Sequence, residues 1–161
     1  MKKQLTMIIA GGILSLLVIA AFLFPIAPGI VRAAGGINET FAGYDFIFTN
    51  DAAAISKTGV TGLITAFVFL IIGASFGVLG TIIPLTGSTK FSGFLDIVAG
   101  LCLIVTGVLF CLALVLAKDN LAVINNGTYS LGYGFLIAGL AALVAGLGFG
   151  VIGFVGMRGK N

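Results

Sequence analysis

The sequence contains no histidine and no tryptophan, and only 8% of its 161 residues are charged. The missing histidine removes the commonest general base and the commonest transition-metal ligand. Without tryptophan, an aromatic belt at a membrane surface has only Tyr and Phe to draw on. Soluble domains carry about 25% charged residues, and a soluble chain 60% hydrophobic could not clothe its surface in polar groups. The eight Lys and Arg are scattered, so the basic stripe of a nucleic-acid binder is missing. Cysteine is scarce too. Cys102 and Cys111 share one apolar run, and nine residues of helix turn about 900°, placing them on opposite faces. They cannot bond to each other within that helix and read as small packing residues.

What the chain has in quantity is apolar sequence. Four runs, at about residues 5–24, 60–83, 94–117 and 131–155, are each about long enough to cross a bilayer. The expected class is an all-α membrane protein, one membrane domain over residues 1–161, with lipid as its first partner. The first run exceeds the usual signal-peptide core and is read as a span, stopped by Pro25 and Pro28. Pro84 stops the second. Residues 25–59 and 118–130 form two polar loops. In the first, Tyr44, Phe46 and Phe48 alternate, which predicts a strand over 41–49, with a helical turn at 52–57. In the second, Asn126-Gly127 between β-prone residues predicts a hairpin over 121–130. Together they predict a small extracellular β cap. Lys2, Lys3, Lys90, Arg158 and Lys160 fall on one side of the spans, and Arg32, Lys57 and Lys118 on the other. The side richer in Lys and Arg is the cytoplasmic one, which places both termini inside.

Glycine is the commonest punctuation. Gly132, Gly139, Gly146 and Gly153 recur every seven residues down the last run. Gly93, Gly100 and Gly107 do so in the third run, and Gly73 and Gly80 in the second, where Gly73 and Gly77 also form a GxxxG pair. Hydrophobicity cannot drive helices together in lipid, so small residues that let backbones approach mark the contacts. A seven-residue period predicts a left-handed four-helix bundle. A glycine-lined pore is the functional alternative.

Asp96 is the only acid within a span. Such a carboxylate is a functional candidate, but its place near the cytoplasmic end predicts an interfacial pair with Lys90. Ser15, Thr65, Ser75 and Thr106 are expected to bond backbone carbonyls. A nucleophilic serine needs a base, and none stands nearby, so no catalytic, metal or cofactor site is expected. Asn38-Glu39-Thr40 and Asn126-Gly127-Thr128 are glycosylation sequons in the two outer loops. Phe41, Tyr44, Phe46 and Phe48 form either a partner surface or a patch buried against the bundle top.

The layout of four spans with a long first outer loop is similar to the claudin-like tetraspans in topology, but their loop cysteines and tryptophan are missing. The Cys-Cys-Gly of tetraspanins and the deep carboxylate of proteolipid ring subunits are missing as well. A closer resemblance is to small four-span bacterial membrane proteins. These have a Phe-x-Gly-Tyr-x-x-Ile-Phe loop after the first helix and Gly-Tyr-Gly before the last. Here the residues are Phe41, Gly43, Tyr44, Ile47 and Phe48, and Gly132, Tyr133 and Gly134. The resemblance implies the layout and brings no activity. The expected function is a non-catalytic scaffold or accessory subunit, whose outer cap meets another membrane protein or a second copy. A small channel or transporter subunit is the second expectation, and a lysis-type pore former the third.

Overall fold

A computed structural model describes residues 2–48, 60–121 and 128–158. Four helices dominate it: α1 (Lys2–Leu23), α3 (Thr61–Ile82), α4 (Thr89–Cys111) and α7 (Tyr133–Arg158). With their flanking turns, all four are long and apolar enough to cross a membrane, and they mark a multi-pass membrane protein. The minor elements are β1 (Pro28–Ala34), β2 (Ile37–Ala42), α2 (Tyr44–Ile47), α5 (Ala113–Leu116), α6 (Lys118–Leu121) and β3 (Thr128–Leu131).

Proline and glycine set the ends. Pro25 and Pro84 each sit at the start of a 3-10 turn that closes α1 or α3, where a missing N–H is tolerated. Gly87, at φ +90°, then reverses the chain into α4, a conformation that costs glycine little. This turn is shorter than the gap between the expected 60–83 and 94–117 runs, so α4 begins five residues before Phe94 and takes in Ser92. At its far end α4 stops at Cys111. The rest of the expected 94–117 run is the separate turn α5.

The long helices close a ring. α4 lies against α7 and α3, and α1 lies against the same two. The core along the axis is filled: Phe110, Phe135, Phe149, Leu63, Leu70, Leu103 and Ala66 are fully or almost fully buried. Hydroxyls bond as their context demands. Ser15, Thr65 and Ser75 donate to carbonyls four residues back on their own helices. Thr106 lies within reach of both Cys102 O, at 3.0 Å, and Ala66 O on α3, at 3.1 Å.

The β structure is a three-stranded antiparallel sheet in the order β2-β1-β3. β1 and β2 join through Gly35-Gly36, both at positive φ. That is the two-residue hairpin connection whose twist suits flanking strands. Arg32 faces Glu39 across the pair, with an ion pair at 3.0 Å. Two expectations are corrected here. The strand predicted over 41–49 does not form: β2 runs from Ile37 to Ala42 and shares only its last two residues with it, while Tyr44–Ile47 forms a helical turn. The Asp45 carboxylate accepts from the Ala42 N–H, which closes that turn. Tyr44 and Phe48 stack at a spacing of four, and a spacing of four suits a helix as well as a strand. The hairpin predicted over 121–130 is replaced at both described ends. Leu121 closes α6, and Thr128–Leu131 pairs with β1 instead. The Asn126-Gly127 turn and the turn expected at 52–57 lie outside the described residues.

The Thr106 bridge gives a direct test of the α3–α4 contact. Thr106→Val keeps the shape and removes the donor, and is expected to cost about 0.6 kcal/mol in an unfolding titration of the detergent-solubilised protein. An unchanged midpoint would mean the bridge adds nothing.

Candidate functional site

Three features stand out as candidates: the glycine seam, the cap junction, and the end of the bundle that carries Asp96. The seam is between α4 and α7. A methyl placed on Gly93 would lie 2.6 Å from Gly153 O, one on Gly100 would lie 2.7 Å from Gly146 O, and one on Gly107 would lie 2.7 Å from Gly139 O. The reverse contacts are as tight: 2.5 Å from Gly153, 2.8 Å from Gly146 and 3.0 Å from Gly139. The two helices are antiparallel, and glycine meets glycine at three levels, seven residues apart. At each level a backbone oxygen occupies the place of a side chain. This is the geometry of interhelical Cα–H···O contacts.

The α3 glycines do different work. Gly73 faces Leu103 and Cys102 of α4, Gly77 receives the Phe149 ring of α7, and Gly80 lies against the Asp96 carboxylate. Gly132 leaves the seam altogether. It precedes α7, donates its N–H to Gly29 O at 2.7 Å, and packs on the Pro28 carbonyl. The seven-residue spacing carries it into the stripe, but the helix starts one residue later. Both cysteines are free; Cys102 is buried and the Cys111 sulfur sits where a Gly139 methyl would go.

Gly132 belongs instead to the cap junction. Gly29 and Gly43 pack backbone to backbone, and the Phe135 ring lies against both. Gly134 faces the carbonyls of Phe24, Ala27 and Pro28. The Gly-Tyr-Gly before α7 therefore gives the start of β1 room to cross the helix entrance. The aromatic residues bind the cap from the other side. Phe46 is 1% exposed and touches Phe41 and Phe135. Tyr44 packs edge-on to Phe67 and donates its hydroxyl to Phe22 O at 2.5 Å. Phe48 also meets Phe67 but is 52% exposed. Of the four aromatics named from the sequence, Phe46 is buried, Phe41 and Tyr44 are half-buried against the core, and Phe48 is exposed. Three are turned toward the bundle, because their rings bury more apolar area there than at the surface.

At the opposite end, Asp96 is 2% exposed and packed between Ser92 and Gly80. The expected pair with Lys90 does not form. Lys90 is exposed, and six residues of helix place it about 120° round α4 from Asp96. Among the described residues the buried polar side chains are Ser92, Asp96 and Thr106. Ser92 falls in a loop by sequence reading; its i, i+4 spacing to Asp96 is the signal that pairs them. Comparison with known protein families, curated proteins and solved structures gives no match for this chain.

Two outcomes follow from the seam and the junction. Gly146→Ala pushes a methyl onto a backbone that cannot yield, and is expected to cost about 1–3 kcal/mol. Gly150 has open space around it, so Gly150→Ala is expected to be neutral or to add up to about 1 kcal/mol of helix preference. Thermal unfolding of the two variants in detergent compares them. Burial raises the Tyr44 phenol above its ordinary value. Its neutral form is favoured in the folded state, so its contribution is present below about pH 10, the unfolded value, and is lost as pH rises through the folded one. Tyr44→Phe is expected to flatten that alkaline loss in a pH series of melting curves.

Proposed function

We propose that this chain is a non-catalytic integral membrane scaffold or accessory subunit. Its four spans form a left-handed bundle, both termini are cytoplasmic, and the sheet cap faces outward to a partner. The partner is another membrane protein or a second copy. The observation that carries this reading is the filled axis of the bundle. Phenylalanines and leucines close it, and the α4–α7 seam is backbone against backbone rather than a lined channel. Conductors of polar solutes need lined paths. The seven-residue glycine spacing supports the left-handed winding, and the bias of Lys and Arg supports the orientation. The outer strand β2 gives the cap an accessible face, with Ile37, Asn38, Glu39 and Thr40 all exposed.

A channel or transporter subunit is the second reading, and the buried Asp96 is the observation in its favour. Reconstitution separates them. The scaffold reading expects ion and solute flux no greater than that of empty vesicles. It also expects photo-crosslinkers at Ile37 or Glu39 to capture a discrete membrane protein or a second copy in native membranes. Flux above the empty-vesicle level, abolished by Asp96→Asn, would move the assignment to the second reading.

A further inference from the structure

The α4–α7 seam is bordered by a groove of about 470 Å³ between the two helices. Gly100, Gly146 and Gly150 lie along it, and a methyl on Gly150 would meet nothing within 4 Å. Leu101, Leu147 and Val151 also line it and are exposed, so the groove opens away from the bundle axis. Every lining residue is apolar or glycine, and water finds no partners in such a place. Left empty in a bilayer, the groove would forfeit dispersion contacts along both walls. An acyl chain is the bilayer component thin and flexible enough to fill it.

The end of the groove remote from the sheet says which lipid fits. Ile97 and Ile104 line the α4 wall. Lys90 stands seven residues before Ile97, on the same face of that helix. Val151 and Phe154 line the α7 wall, and Arg158 follows them at spacings of seven and four. The Arg158 guanidinium lies over the Phe154 ring, 4.1 Å from its centre, and so stands at the groove mouth. Lys90 and Arg158 are at one level, since a methyl on Gly156 of α7 would lie 3.2 Å from Thr89 O of α4. Both basic residues are exposed, and among the described residues no carboxylate pairs with either. A guanidinium stacked on a ring keeps its N–H edge for a phosphate. Basic groups closing an apolar groove between membrane helices complement an anionic headgroup with an attached chain. A partner helix would fill the groove but leave both charges unanswered.

We propose that α4 and α7 together bind one anionic phospholipid. Its acyl chain lies in the groove over Gly100, Gly146 and Gly150, and its phosphate sits between Lys90 and Arg158. The close backbone contact that joins the helices thus also shapes the lipid site beside it. The site does not depend on the scaffold reading, since a channel subunit can hold a lipid equally well.

The test is native mass spectrometry of the full chain in detergent, with added phosphatidylglycerol or phosphatidylcholine of identical chains. The expected result is one phosphatidylglycerol retained on the order of tenfold more tightly than phosphatidylcholine. The double variant Lys90→Gln with Arg158→Gln changes exposed side chains only, and is expected to abolish the preference. Gly150→Leu places a side chain in the open space and is expected to reduce retention of the lipid with both charges intact. Equal retention of the two lipids by the unaltered protein would overturn the proposal. So would a preference unchanged in the double variant, or retention unchanged in Gly150→Leu. A dimer that Gly150→Leu dissociates would give the groove to a second copy instead, and free inorganic phosphate displacing the lipid without effect of Gly150→Leu would reduce the site to a phosphate contact. Should Gly150→Leu fail to fold, Leu101→Trp, at an exposed lining position, takes its place with the same expected loss.

Discussion

In a bilayer the lipid tails are as apolar as the helices, so burial of leucine does not bring helices together. What remains is close contact, and α4 and α7 achieve it by putting backbone against backbone. Three glycine pairs, Gly93–Gly153, Gly100–Gly146 and Gly107–Gly139, hold the axes close enough for carbonyl oxygens to face α-carbons. The gain at each level is dispersion and weak Cα–H···O attraction. Any side chain at these positions would separate the helices over a full turn. The rest of the bundle takes its position from this pair. With α7 drawn onto α4, Phe149 reaches across to Gly77 of α3, and Gly148 opens a place for Leu14 of α1.

The two ends then diverge in chemistry. At one end, the first turn of α7 and the residue before it carry Gly132, Gly134 and Phe135 under the sheet, so the cap is seated by the same helix that makes the seam. Aromatic rings and the Tyr44 hydroxyl complete the attachment. At the other end, α3 and α4 are joined by a short turn at Gly87, and the contact between them is polar: Ser92, Asp96 and the Gly80 carbonyl. Thr106 repeats the motif nearer the middle by reaching Ala66 O. The α4–α7 pair meets through backbone at its glycines, and the α3–α4 pair adds hydroxyl bridges.

Much of this is legible in the residues. The four long apolar helices follow from run length, though the third begins and ends earlier than its run, and the seven-residue spacing picks out the third- and fourth-run glycines that face one another in the structure. Their antiparallel register is not legible, because spacing within a helix says nothing of which residue it meets on another. Gly132 is misplaced by the spacing for a related reason: a period extends past the point where a helix begins. The cap falls at different positions from those expected. Its hairpin signal is Gly35-Gly36, between Pro28–Ala34 and Ile37–Ala42, and the more obvious alternation at Tyr44, Phe46 and Phe48 draws the expected strand too far along. Counting residues from the span end puts Asp96 at the surface. Burial depends on which face of α4 the residue occupies, and here it is the face that meets Gly80 of α3.

The α4–α7 contact is the central claim, and the most direct measurement is a carbon–carbon distance across it in lipid. Solid-state NMR dipolar recoupling between labelled Gly100 and Gly146, in bilayers, reports whether the two backbones touch. The predicted result is a strong cross-peak between the Gly146 carbonyl carbon and the Gly100 α-carbon, matched by the reciprocal pair. Absence of both, in a sample whose helices are intact by chemical shift, would contradict the seam.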